Sequence, residues 1–183
     1  MSSFLHIIIG SMFSGKSTKL INEINTLKVY KKNILIINSH HDTRIDSDSI
    51  KTHNNLTYKA LKLKELNLSI IPELVSKYDV IAIDEAQFFN NLYPFIQELL
   101  NHNIYIIICG LNGDRHQKKF GEILDIIPLA NKLDKLSGIC SICNDGTPGD
   151  FTTLKKNKNN INNQILVGDN NIFLCVCRKH IHY

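Results

Sequence analysis

The chain has 183 residues, 43% of them hydrophobic and 21% charged, and a formal net charge of +4. That balance suits a globular domain with one core and a small appendage, and the excess charge is too small to argue for nucleic-acid binding by itself. No apolar run reaches the ~18 residues of a membrane span. The opening Met1–Phe4 lacks the basic flank of a secretory signal, so a cytoplasmic protein without membrane contact is expected.

Leu5–Ile9 is a continuous aliphatic run and reads as a buried strand. It leads into Gly10, Ser11, Met12, Phe13, Ser14, Gly15, Lys16 and Ser17, which satisfy the phosphate-loop pattern of Gly, four free positions and Gly-Lys-Ser. Glycines let the backbone wrap a phosphate with its amides pointing inward, and a following helix adds the positive end of its dipole. Lys16 can reach the outer phosphates, and the Ser17 hydroxyl can ligate Mg²⁺. Leu20, Ile21, Ile24 and Leu27 give that following segment, Lys19–Tyr30, a helical stripe.

Asn33–Ile37 reads as a second strand. His40–Asn55 is polar and reads as a long connection with a hairpin among its options; Asp42, Thr43 and Arg44 lie near its start, where they could reach phosphates or a metal. Ile70–Lys77 has helix-like spacing, and Asp79–Ile83 is a third aliphatic strand. It runs into Asp84 and Glu85. An acid at the end of a buried strand is where a phosphate-loop protein holds Mg²⁺, which suits Asp84. Alternation along the strand end would turn Glu85 the other way, toward an acceptor, as a general base. Phe88, Phe89 and Phe120 could sandwich a flat ring or could be core.

Asn91–Asn101 reads as another helix and Ile104–Cys109 as a fourth strand, with Cys109 as plain core. Short, continuous, β-branched strands separated by helical segments indicate an α/β protein with a parallel sheet and right-handed crossovers. Composition changes after Leu136, which divides the chain into a phosphate-loop domain over 1–136 and an appended module over 137–183. Lys155–Gln164 is low in complexity and reads as a flexible loop.

Four of the five cysteines fall in that module. Cys140 and Cys143, with Cys177 and His180, form two knuckles of equal spacing, enough for a closed, structural tetrahedral zinc site. Cys175 and His182 are rival ligands nearby. The remaining histidines, such as His40, His41 and His53, lack metal spacing.

Taken together these motifs resemble the zinc-containing thymidine kinases of the cellular, bacterial and poxvirus type. The resemblance runs from near residue 5 to near residue 180 and is carried by the loop Gly10–Ser17, Asp42–Arg44, Asp84–Phe89, Gly110–Gly113, Lys119–Gly121 and the two metal knuckles. It implies a RecA-like sheet with a zinc-bearing lasso domain, usually in a homotetramer. The implied reaction is transfer of the γ-phosphoryl group of ATP to the 5′-hydroxyl of thymidine, with dTTP as feedback inhibitor.

By position, the resemblance assigns Glu85 as base and Asp84 and Ser17 to Mg²⁺. It assigns Gly10–Ser17, Asp42, Thr43, Arg44, Asp84 and Gln87 to ATP. Met12, Phe88, Leu111, Arg115, Phe120 and Phe173 fall to the nucleoside, as do the lasso residues Gln164, Ile165, Leu166, Val167 and Gly168. Departures accompany the match: Arg115 stands where most relatives have Phe, Lys119 replaces a common Pro, Phe173 replaces Tyr, and Ser11 is often Pro in relatives. The alternative reading is a nucleic-acid-stimulated phosphate-loop ATPase with a zinc ribbon, which needs a basic, aromatic-lined face. A non-enzymatic zinc-binding adaptor with a relic nucleotide site is a further rival.

Overall fold

A computed structural model of the chain describes residues 2–42, 49–51, 57–155 and 172–182. The aliphatic runs become strands β1 (Phe4–Gly10), β2 (Ile34–Ser39), β6 (Val80–Asp84) and β7 (Tyr105–Leu111). The helical stripes become α1 (Lys16–Val29), α2 (Ile71–Lys77) and α3 (Leu92–Leu99). In the polar connection after β2, β3 (Ser49–Lys51) and β4 (Thr57–Lys59) pair antiparallel, so a hairpin does form there.

Two strands of the large sheet have no counterpart in the aliphatic pattern. They are β5 (Leu61–Leu63) and β8 (Lys132–Leu136). Both lie at sheet edges, where one flank is open and lysines can alternate with leucines, so a search for continuous apolar runs passes over them. Among the described residues the sheet has six strands in the order β5-β2-β6-β7-β1-β8, and every pairing is parallel. Asn131 fixes β8 beside β1: its side-chain Oδ1 accepts from the Leu5 amide, and its own amide donates to the Leu5 carbonyl.

Side-chain alternation splits the core in two. Leu5, Ile7, Ile9, Ile81, Ile83, Ile106 and Ile108 face one side, where α2 and α3 cover them with Leu74, Leu92, Phe95, Ile96 and Leu99. Ile8, Val80, Ala82, Ile107 and Cys109 face the other, beneath Leu20, Ile21 and Ile24 of α1. Each such aliphatic side chain withdrawn from water contributes roughly 1.5–3 kcal/mol. Two covered faces explain why the central strands read as unbroken apolar runs.

After Leu136 the architecture changes. β9 (Gly138–Ile139) pairs antiparallel with β10 (Pro148–Gly149), and β11 (Phe151–Leu154) with β12 (Phe173–Val176). The Ser141 amide donates to the Cys175 carbonyl and ties the two ribbons together. No helix among the described residues is long and apolar enough to cross a membrane.

Candidate active site

Parallel α/β sheets present ligand sites at the carboxyl ends of their strands. Here register brings the ends of four strands to one edge: Gly10 of β1 pairs with Leu111 of β7, and Asn38 of β2 with Asp84 of β6.

The phosphate loop leaves β1 at Gly10. A Cβ there would collide with the Leu136 carbonyl and the Ser14 hydroxyl, so the position takes only glycine. Gly15 sits at φ 80° immediately before α1, a left-handed conformation that glycine adopts without a Cβ penalty. Phe13 is also left-handed, at φ 62°. The Ser11 carbonyl accepts from the Lys16 ammonium (2.7 Å) and the Ser14 hydroxyl (2.8 Å), which draws the lysine across the loop. α1 has no side-chain cap and no acidic residue in its first turn, so its terminal amides and dipole are available to an anion.

The acid pair meets this loop. Ser17 Oγ donates to Asp84 Oδ2 at 3.2 Å, linking the first turn of α1 to the tip of β6. Asp84 is 2% exposed, and its Oδ1 accepts from the Glu85 amide at 2.9 Å. Strand geometry ends at Asp84. Glu85 is left-handed, at φ 52°, and opens a 3₁₀ turn over Ala86–Phe88. The backbone turn at Glu85 therefore aims its side chain, where strand alternation was the expected cause. Gln87 Nε2 donates to Glu85 Oε2 at 2.6 Å, and Gln87 Oε1 accepts from the Leu111 amide at 3.0 Å. The resemblance grouped Gln87 with ATP; both ends of its side chain bond to protein groups.

Cys109 lies in the core on β7 but borders the acids. Burial pushes its thiol well above the usual range, and the charge of Asp84 adds to the shift. Asp42 is buried near the same edge, where its carboxylate accepts from Asn38 Nδ2 at 3.1 Å. Asn38 and Asp114 escaped sequence reading. Asn38 could have been found as the polar residue that ends an aliphatic strand. Asp114 is buried and its Oδ1 accepts from the His116 and Lys118 amides, which shapes the turn bearing Arg115. Only tertiary burial singles it out among loop acids.

The aromatic expectation divides. Phe89 is 1% exposed and belongs to the core. Phe88 is half-buried and meets Phe120 edge-on at 5.4 Å, with the His41 ring 5.8 Å from it. Leu111 ends β7 and is half-buried, and Arg115 is half-buried with its Nε donating to His116 Nε2 at 3.1 Å. Phe173 is buried in β12, opposite Leu154. Thr43, Arg44, Gln164, Ile165, Leu166, Val167 and Gly168 lie outside the described residues.

The C-terminal module grips the phosphate loop. Ser11 Oγ donates to the Gly149 carbonyl at 2.9 Å and lies 3.3 Å from Cys175 Sγ. The Met12 amide donates to Thr152 Oγ1 at 3.0 Å. Cys175 also donates to the Gly149 carbonyl, so this thiol faces the loop and takes no part in the metal cluster.

That cluster consists of Cys140, Cys143, Cys177 and His180. A tetrahedron with Zn–S near 2.3 Å and Zn–N near 2.0 Å has edges of about 3.8 Å for S···S and about 3.5 Å for S···N. Cys143 and Cys177 sulfurs are 3.8 Å apart, and His180 Nδ1 lies 3.4–3.6 Å from the three sulfurs. The donor set and its spacing therefore fit zinc. Burial pushes the Cys140 thiol up, but the Cys143 and Cys177 amides and His180 outweigh it and bring the thiol down to about 6, while burial and the neighbouring Cys140 and Cys177 sulfurs push the Cys143 thiol up to about 11. Amide donors of this kind stabilise a thiolate, the form that binds metal. His182 is exposed and outside the cluster.

Comparison with known proteins finds relatives along almost the whole chain. The thymidine kinase family model matches residues 3–181. Thymidine kinase a of Arabidopsis thaliana is 37% identical over 98% of this chain and 75% of its own length. The thymidine kinase of Choristoneura fumiferana entomopoxvirus is 38% identical over 95% of this chain and 94% of its own. That of Acanthamoeba polyphaga mimivirus is 37% identical over 94% of this chain and 79% of its own. With a match along almost the whole chain, and relatives of this kind in a plant and in two viruses, the protein belongs to the thymidine kinase family.

Proposed function

We propose that the protein transfers the γ-phosphoryl group of ATP to the 5′-hydroxyl of thymidine, with Glu85 as general base. The observation that carries this reading is the 3.2 Å contact between Ser17 and Asp84, which joins the phosphate loop to the acid pair in one cleft. Backbone amides of Gly10–Ser17 and the Lys16 ammonium hold the phosphates. Ser17 and Asp84 would supply oxygen donors to Mg²⁺, which would neutralise phosphate charge. Glu85 orients the nucleoside hydroxyl and takes its proton. The freed oxygen attacks the γ-phosphorus as the bond to the β,γ-bridging oxygen breaks, and ADP leaves with that electron pair. The proton on Glu85 then passes to solvent.

Phe88 and Phe120, with Met12 and Leu111, are the proposed walls for thymine, a flat ring suited to edge-on aromatic company. Arg115, Phe173 and residues 164–168 complete the proposed nucleoside contacts, and Asp42, Thr43 and Arg44 the phosphate side. Residues 1–136 form the catalytic domain, and 137–183 the lasso, with zinc held by Cys140, Cys143, Cys177 and His180. Assembly as a homotetramer, inhibition by dTTP and a cytoplasmic location accompany the reading.

A panel of nucleosides with Mg-ATP, scored by monophosphate formed, tests it. Product from thymidine and deoxyuridine and none from purine nucleosides is expected; stimulation of ATP hydrolysis by DNA with no nucleoside product would overturn it. Glu85→Gln is expected to lower kcat by about 10²–10⁴-fold with Mg-ATP binding retained, and near-normal turnover would remove Glu85 from the role.

A further inference from the structure

We propose that Gln87 is a positioning residue, a two-ended amide strut that fixes the Glu85 carboxylate from the end of β7. The inference rests on the assignment of Glu85 as base.

Gln87 is 3% exposed. One end of its amide, Oε1, accepts from the Leu111 backbone N–H at 3.0 Å; the other, Nε2, donates to Glu85 Oε2 at 2.6 Å. The two partners dictate its orientation. A peptide N–H only donates and a carboxylate only accepts, so a flipped amide would oppose donor to donor and acceptor to acceptor. No other uncharged side chain of this length offers an acceptor at one end and a donor at the other.

The strut is itself held. A Cβ on Gly110 would overlap Gln87 Oε1, and one on Gly121 would overlap the Gln87 carbonyl. Both glycines thus let the backbone close around this one residue. Ala86, just before it, is fully buried. Glu85 by contrast is half-buried on a left-handed turn, a conformation that leaves its side chain outside the regular packing of the sheet. A catalytic carboxylate needs a locked rotamer, and supporting hydrogen bonds supply it.

Asp84, Lys16 of α1 and Glu85 all lie within electrostatic reach of the Cys109 thiol of β7. Gln87 adds a neutral donor to this set, bonded directly to the carboxylate.

Two variants separate positioning from structure. Gln87→Met keeps length and burial but removes both hydrogen-bonding ends. Gln87→Glu keeps the shape and sets a second carboxyl against Glu85. In steady-state thymidine phosphorylation across pH 5–9, Gln87→Met is expected to lose about 10–100-fold in kcat, with KM for ATP changed less than about twofold. Gln87→Glu is expected to move the acidic limb of kcat up by about one pH unit or more, because paired carboxyls share a proton. Mg-ATP binding is measured on each variant.

Wild-type kcat with an unmoved acidic limb would overturn the proposal. So would a rise in KM for ATP at constant kcat, or loss of ATP binding together with turnover, since these place Gln87 in nucleotide binding or in folding. Glu85→Gln is run alongside: if that variant turns over normally, the base assignment has failed, whatever Gln87 does.

Discussion

Asp84 closes a five-residue strand that is buried at every position, whereas Cys140 follows a strand of two residues and Cys177 one of four. The acid is held by two layers of aliphatic packing. Among the described residues, a buried cluster in the C-terminal module comprises Cys140, Val176 and Cys177, two of them candidate metal ligands. So small a buried cluster contributes little against the entropy of ordering the chain around it. One region is therefore positioned by burial, and the other is expected to depend on its candidate metal cluster. They meet at the phosphate loop, where Ser11 and Met12 bond to Gly149 and Thr152.

Metal removal should break this comparison most sharply. Structural zinc sites contribute on the order of 10 kcal/mol to small domains. Chelation, or Cys143→Ser, is expected to abolish zinc binding and to deprotect the amides of residues 138–154 and 172–182 in hydrogen exchange. The strands β1, β2, β6 and β7 should keep their protection. Equal loss of protection in both regions would mean that they fold as one unit; no loss would mean that the module stands on its own core.

A smaller effect sharpens the contact between them. Thr152→Val removes one hydrogen bond between module and loop, and Ser11→Ala removes the bond to Gly149 and the contact with Cys175, each bond worth about 0.5–1.5 kcal/mol. KM for ATP should rise about 2–10-fold in each variant while zinc content stays unchanged. Unaltered KM values would make the grip incidental to nucleotide binding.

The smallest effect belongs to the burial-held region alone. His6 of β1 is fully buried, with Nε2 bonded to Asp134 Oδ2 at 2.9 Å. Burial lowers its value below the ordinary 6.5, against the raising effect of the Asp134 hydrogen bond. The unfolded chain therefore takes up this proton first as pH falls. The contribution to stability is complete above 6.5 and is lost as pH drops through the lower folded value. The Asp134 carboxyl is held below its ordinary 3.8; burial opposes this, and His6, Lys132 and Lys19 overcome it, so its own contribution fades only in stronger acid. Thermal unfolding should show Tm falling by about 2–4 °C between pH 7 and pH 5, with a shallower slope in His6→Leu. A slope that is the same in both proteins would dismiss His6 as its source.

The parts legible in the chain were those governed by local rules. The loop Gly10–Ser17 requires glycines at fixed positions, so its pattern survives without knowledge of the fold. Buried parallel strands must be apolar on both faces, which made β1, β2, β6 and β7 visible as runs. Two-residue spacers set the knuckles Cys140–Cys143 and Cys177–His180, and the choice of these four over Cys175 and His182 follows from the same spacing.

What local rules could not reach depended on distant neighbours. Strands β5 and β8 are strands because an edge of the sheet was open to them. Cys175 faces Ser11, 164 positions away in the chain, and nothing near it in sequence distinguishes it from a ligand. Phe88 and Phe89 are adjacent and chemically identical, yet Phe89 enters the core and Phe88 stays half-buried against Phe120, because the 3₁₀ turn after Glu85 decides which way each points. Composition and spacing settled which chemistry the chain can support. The assignment of Gln87 to Glu85, and of the module to the phosphate loop, came only with the packing that brought their hydrogen-bonding groups within 3 Å of one another.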